Sequence, residues 1–118
     1  MKLRIRNNSV RYRLTRTDVK QLVSTGYLEE KVEFWEQTLL YAIQVSNVEE
    51  LSASFKNNII TLLMPQSIID ELDATDKTGF EYQAGPLHLL VEKDFTCLDK
   101  VAEDQSDNYP NPLAEKSF

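Results

Sequence analysis

Ile5-Arg6-Asn7-Asn8-Ser9-Val10-Arg11-Tyr12-Arg13-Leu14-Thr15 returns fifty positions later as Phe55-Lys56-Asn57-Asn58-Ile59-Ile60-Thr61-Leu62-Leu63-Met64-Pro65. Each copy reads as strand, turn, strand, helix start. Leu3 and Ile5 alternate with Lys2, Arg4 and Arg6, and Val10, Tyr12 and Leu14 alternate with Arg11 and Arg13. Successive strand side chains point to opposite faces, so each run has one apolar and one cationic face. Asn tolerates positive φ, which suits Asn7-Asn8 and Asn57-Asn58 to tight hairpin turns.

The pattern extends outward from these turns. Thr15-Arg16-Thr17-Asp18 matches a capping box, Val19, Leu22 and Val23 follow at helical spacing, and Gly26 suits a C-cap. Leu28–Phe34 alternates as a strand, Trp35-Glu36-Gln37 reads as a turn, and residues 38–46 form a strand with Leu39, Tyr41, Ile43 and Val45 on one face. The second half restarts at Leu51. Residues 59–64 are almost wholly apolar, as expected of a central strand. Pro65 fits a first helical turn, and Ile68, Ile69 and Leu72 form a buried stripe. Phe80–Gln83 and Leu87–Lys93 are strands around a turn at Ala84-Gly85-Pro86. At an ungapped offset of fifty, Leu22 meets Leu72, Val19 meets Ile69, Leu39 meets Leu89 and Leu40 meets Leu90. The expected domain is residues 1–98, built from pseudo-repeats 2–46 and 52–96, with 99–118 an extended acidic tail.

At 118 residues the chain fits one domain, and 42% hydrophobic residues is ordinary for a globular protein. A net charge of −6 argues against general nucleic-acid or anionic-membrane binding, where a basic footprint is expected. The lone Cys97 allows no intrachain disulfide. Without a signal-like or bilayer-length apolar run, the expectation is a cytoplasmic, bacterial-type protein.

In the tail, Pro110-Asn111-Pro112 blocks both helix and central strand, and Phe95 and Leu98 are its expected anchors. Val91-Glu92-Lys93-Asp94-Phe95, then Cys97-Leu98, Glu103-Asp104 and Tyr109-Pro110-Asn111-Pro112, resembles the C-terminal signature of a small bacterial family of unknown function. Lys2-Leu3-Arg4-Ile5-Arg6-Asn7-Asn8-Ser9 resembles that family's opening. The resemblance implies no activity and no catalytic residues.

The strongest candidate site is the cationic face of Lys2, Arg4, Arg6, Arg11 and Arg13. Guanidinium groups donate paired hydrogen bonds that suit phosphate. Glu29, Glu33, Glu81 and Glu92 are the acids expected to oppose it, leaving a polar face laced with weak cross-strand pairs. The element order also resembles the CYTH triphosphate-tunnel proteins, whose barrel holds triphosphate and metal in a charged interior. That family opens with Glu-x-Glu-x-Lys, whereas Lys2-Leu3-Arg4-Ile5-Arg6 carries no acid. Metal-assisted hydrolysis needs clustered carboxylates, which the sequence does not assemble.

Cys97 and His88 could form a nucleophile and base only if the tail folds back, and two such residues do not complete a zinc site. Cys97 reads better as a small buried anchor. Glu103–Asn108 lacks EF-hand spacing, and Gly26, Gly79 and Gly85 are too scattered for a phosphate loop.

The expectation is therefore an α+β fold of about eight antiparallel strands and two short helices in duplicated ββαββ units, as an open sheet or a CYTH-like barrel. The expected function is a small binding or interaction module using the charged strand face. The alternative is a CYTH-like enzyme that binds or hydrolyses phosphate esters or triphosphates. No cofactor, metal or catalytic residue is implied. The expected partner is a protein or a small anionic ligand.

Overall fold

The computed structural model describes residues 1–95 and 107–110. The elements run β1 (Lys2–Arg6), β2 (Ser9–Leu14), α1 (Arg16–Thr25), β3 (Tyr27–Glu33), β4 (Thr38–Ser46), β5 (Ser52–Lys56), β6 (Ile59–Pro65), α2 (Gln66–Ala74), β7 (Gly79–Ala84) and β8 (Leu87–Lys93). They form two four-stranded sheets ordered β1-β2-β8-β7 and β3-β4-β6-β5. The α+β architecture of eight strands and two helices is as read from the sequence.

Local signals explain the local elements. Asn57 and Asn58 both have positive φ, 53° and 63°, as a two-residue hairpin turn with primed geometry requires. Asn7 has φ 50° in the equivalent turn. The capping box of α1 is complete: Thr15 Oγ1 accepts from the Asp18 amide at 3.2 Å, and Asp18 Oδ2 accepts from the Thr15 amide at 2.9 Å. Gly26, at φ 74°, ends the helix by donating to the Leu22 carbonyl at 2.9 Å. Pro65 is the N-cap of α2 and the last residue of β6, one position earlier than expected.

Two expectations need correction. The strands do not all pair antiparallel: four antiparallel hairpins are joined in twos by parallel central pairs, β2 with β8 and β4 with β6. The barrel alternative also fails. Each sheet ends in edge strands, and among the described residues no ladder joins them into a closed barrel.

The topology is an exchange of hairpins. β1–β2 of the first half pairs with β7–β8 of the second, and β3–β4 pairs with β5–β6. The offset of fifty holds for the first hairpins and the helices, then slips. Ser9 partners His88 where Ile59 partners Leu40, so Leu40 is equivalent to His88 rather than to Leu90. The connection Thr75–Thr78 is longer than Gly26, and the turn at Phe34–Gln37 is longer than Gly85-Pro86. The two length differences displace the later alignment in opposite directions.

Both sheets turn an apolar row inward, Leu3–Tyr12–Val91–Phe80 in the first and Leu28–Ile43–Leu62–Ala53 in the second. With Val19, Leu22, Ile69 and Leu72 of the helices they form one core. Lys20 Nζ meets Asp73 Oδ1 at 2.7 Å and ties α1 to α2. Among the described residues no helix is long and apolar enough to cross a membrane.

Candidate functional site

Strand register brings all five predicted cations onto the outer face of the first sheet. Lys2 lies opposite Arg13, Arg4 opposite Arg11, and Arg6 opposite Ser9. The rows continue across β8 and β7: Arg13 to Glu92 and Gly79, Arg11 to Leu90 and Glu81, Ser9 to His88 and Gln83. The core-facing residues between them are Val10, Tyr12 and Leu14, so the basic face points away from the core. In a charged tunnel the cations would face inward; here apolar burial has claimed that side.

The acids are distributed unevenly. Glu92 Oε1 lies 3.2 Å from Arg11 Nε and 3.7 Å from Arg13 Nε. Glu81 lies 3.0 Å from His88 Nε2. Glu29 and Glu33 lie on the second sheet, away from the arginines: Glu33 pairs with Lys31 at 3.1 Å. Burial, and then the Glu29 carboxylate, hold the Tyr27 phenol above its ordinary range. Only Glu92 among the four expected acids engages the arginine pair. Among the described residues neither Arg4 nor Arg6 has a carboxylate within ion-pair distance.

The sequence reading missed Asp94. Its Oδ2 lies 3.1 Å from Lys2 Nζ, and its amide donates to the Leu14 carbonyl at 2.8 Å. Leu90, Glu92 and Asp94 share a face at two-residue spacing. The same alternation that marked the arginines could therefore have found it.

The return of the chain at Tyr109 was also missed. Tyr109 bridges to Phe95, its amide donating to the Asp94 carbonyl at 2.8 Å, and the two rings meet edge to face at 6.0 Å. Lys93, almost fully buried, donates to the Thr75 carbonyl at 2.9 Å and sits 4.9 Å from the Tyr109 ring. Arg16 lies 5.8 Å from the same ring. Asp107 accepts from Thr17 Oγ1 at 3.0 Å, and its carbonyl accepts from the Arg16 amide at 3.2 Å. Phe95, one of the expected anchors, is half-buried and packs against the returning Tyr109 ring. Cys97, Leu98 and the segments 99–106 and 111–118 lie outside the described residues, so the proposed Cys97–His88 relation does too.

A depression of about 280 Å³ opens at the tip of β3–β4, lined by Phe34, Glu36, Gln37, Thr38, Leu39 and Asn58. It carries a carboxylate and no cation. Among the described residues no group of three or more His, Cys, Asp or Glu side chains could hold a metal ion.

A family model described as a family of unknown function, DUF7009, matches residues 1–113, and the chain belongs to that family. Neither a curated protein nor a solved structure matches it.

Proposed function

With a family that carries no assigned activity, we propose that this protein is a small interaction module whose basic face, on the outside of β1 and β2, docks an acidic segment of a partner protein. The carrying observation is the Arg4–Arg11 row. Two guanidinium-bearing residues stand directly opposite each other, and Glu92 answers only the Arg11 side. Like charges directly opposed on a sheet are destabilising, and an incoming carboxylate relieves that repulsion. Arg4 within this row and Arg6 beside it both stand exposed.

An extended segment suits the geometry better than a small anion. The cations are spread along two strands on one outward face, Lys2, Arg4 and Arg6 on β1 and Arg11 and Arg13 on β2. The depression at β3–β4 is elsewhere and acidic. Alternate carboxylates of an extended chain repeat with the same spacing as Lys2, Arg4 and Arg6.

The test is a fluorescence-polarisation titration with a labelled Glu-rich peptide, against tripolyphosphate with and without magnesium, at low and moderate salt. The expected result is peptide binding that weakens with salt and is lost in the Arg4→Ala, Arg6→Ala double variant. Tight, magnesium-dependent tripolyphosphate binding would overturn the proposal in favour of a phosphate-processing site. Peptide binding untouched by the double variant would place the interface elsewhere.

A further inference from the structure

The four sheet edges are guarded unequally. Exposed edges present unpaired N–H and C=O groups, and proteins protect them with charges, prolines or bulges. β1 carries Lys2, Arg4 and Arg6, β3 carries Glu29, Glu30, Lys31 and Glu33, and β7 carries Glu81 at its centre. β5, Ser52-Ala53-Ser54-Phe55-Lys56, has a charge only at its last residue and no proline. It also holds Phe55 69% exposed, more than any other large strand hydrophobic among the described residues.

The hairpin fixes which backbone groups face outward. A two-residue turn at Asn57-Asn58 makes Lys56 and Ile59 the hydrogen-bonded closing pair. Bonded and non-bonded pairs alternate from there, so Ser54 bonds to Thr61 across the ladder. Ala53 and Phe55 then aim their N–H and C=O groups away from β6, at the open edge.

We propose that the protein self-associates through this edge as a twofold dimer, β5 pairing antiparallel with β5 of a second copy about an axis at Ser54. In that register Ala53 and Phe55 of each copy exchange backbone hydrogen bonds with Phe55 and Ala53 of the other. Phe55 covers the small Ala53 of the opposite copy, and Lys56 faces Ser52, so no like charges meet. The same operation on β1 would set Arg4 against Arg4 and Arg6 against Lys2. The charge pattern thus permits self-pairing at β5 and forbids it at β1. The occupant is a second copy because an isologous contact needs only a self-complementary strand, and β5 is one. The basic face lies on the other sheet, so its ligand and this contact are separable.

The test is sedimentation equilibrium of the full chain from micromolar to near-millimolar concentration, for the wild type and for Ser54→Lys. Ser54 is exposed, so the substitution leaves the fold intact, which circular dichroism checks. It sets two ammonium groups side by side at the axis, where opposed Cα atoms stand roughly 4.5 Å apart. The expected result is a wild-type mass rising with concentration towards twice 13.6 kDa, while Ser54→Lys stays at a single chain. A wild type that stays monomeric throughout overturns the proposal. So does a variant that dimerises like the wild type, or growth beyond two copies.

Discussion

Glu92 and Arg11 meet at 3.2 Å, carboxylate oxygen to guanidinium Nε, and the same oxygen is 3.7 Å from Arg13. One acid is thus shared between two cations on the basic face. Glu92→Gln removes that negative charge. Because these side chains are about one-third exposed, the stability loss is small, roughly 0.3–1 kcal/mol by urea denaturation. Affinity for an acidic peptide rises at low salt, roughly two- to five-fold, since Arg11 and Arg13 are freed. A drop in affinity would mean that Glu92 orders the arginines rather than competing for them.

Tyr12 is fully buried, and its hydroxyl has no hydrogen-bond partner among the described residues. A buried unsatisfied group costs stability, so Tyr12→Phe is neutral or stabilising, by about 0–1 kcal/mol in chemical denaturation. Burial also raises the phenol's pKa above its ordinary 10.0. A raised folded-state value means the contribution is complete below the unfolded pKa and is lost as pH rises past it. The wild type should therefore lose stability above about pH 10 more steeply than Tyr12→Phe. A clear loss in the variant near neutral pH would show that the hydroxyl is satisfied, for instance by a buried water.

Tyr109 anchors the returning chain between Lys93, Arg16 and Phe95. Tyr109→Ala should cost roughly 1–3 kcal/mol, from lost apolar contact and two cation–ring contacts. An unchanged unfolding midpoint would mean the anchor contributes nothing.

Asp107 gives the same anchor a pH dependence. Hydrogen bonds from the Thr15 and Thr17 hydroxyls hold its carboxyl below the ordinary 3.8. A depressed folded-state pKa means the contribution is full above the unfolded value and is lost as pH falls through the folded one. The Tyr109 ring resonances should therefore broaden or shift as pH falls below 3.8, and Asp107→Asn should abolish that transition.

Gly79 opens β7, one residue before the strand start read from the sequence. A Cβ there would stand 2.7 Å from the Val91 carbonyl oxygen and 3.2 Å from Glu92 Cα. The obstruction is backbone of the neighbouring strand, which cannot swing aside. Gly79→Ala should destabilise by roughly 1–3 kcal/mol, read as a lower denaturant midpoint. Gly85→Ala meets nothing within 4 Å and tests only the cost of its positive φ, roughly 1 kcal/mol.

The hairpins were legible because their causes are local. Asn-Asn turns, the Thr15–Asp18 cap and the Lys2–Arg13 alternation each act within a few residues. The cationic face followed from that alternation alone. The parallel joins of β2 to β8 and β4 to β6 were not legible, since no turn or spacing marks a partner so distant in the chain. The acids were misassigned for the same reason. Glu29 and Glu33 have the right charge, but topology sends them to the other sheet, while Asp94 was passed over just beyond a strand end. Tyr109 was hidden because its partners come from two other parts of the sequence, Arg16 near the start and Lys93 and Phe95 around the end of β8.

The exchange of hairpins bears on how the chain reaches this state. Ser9 must wait for His88, so the first sheet cannot be completed until the last strand has left the ribosome. Neither half can close a sheet from its own hairpins, and a chain stopped after Ser46 would expose two apolar strand faces with nothing to cover them. Pairing so remote in sequence slows folding through the entropy of closing long loops. The early hairpin must therefore survive as a soluble, unpartnered piece, and the three cations along β1 keep it from joining its neighbours during that wait.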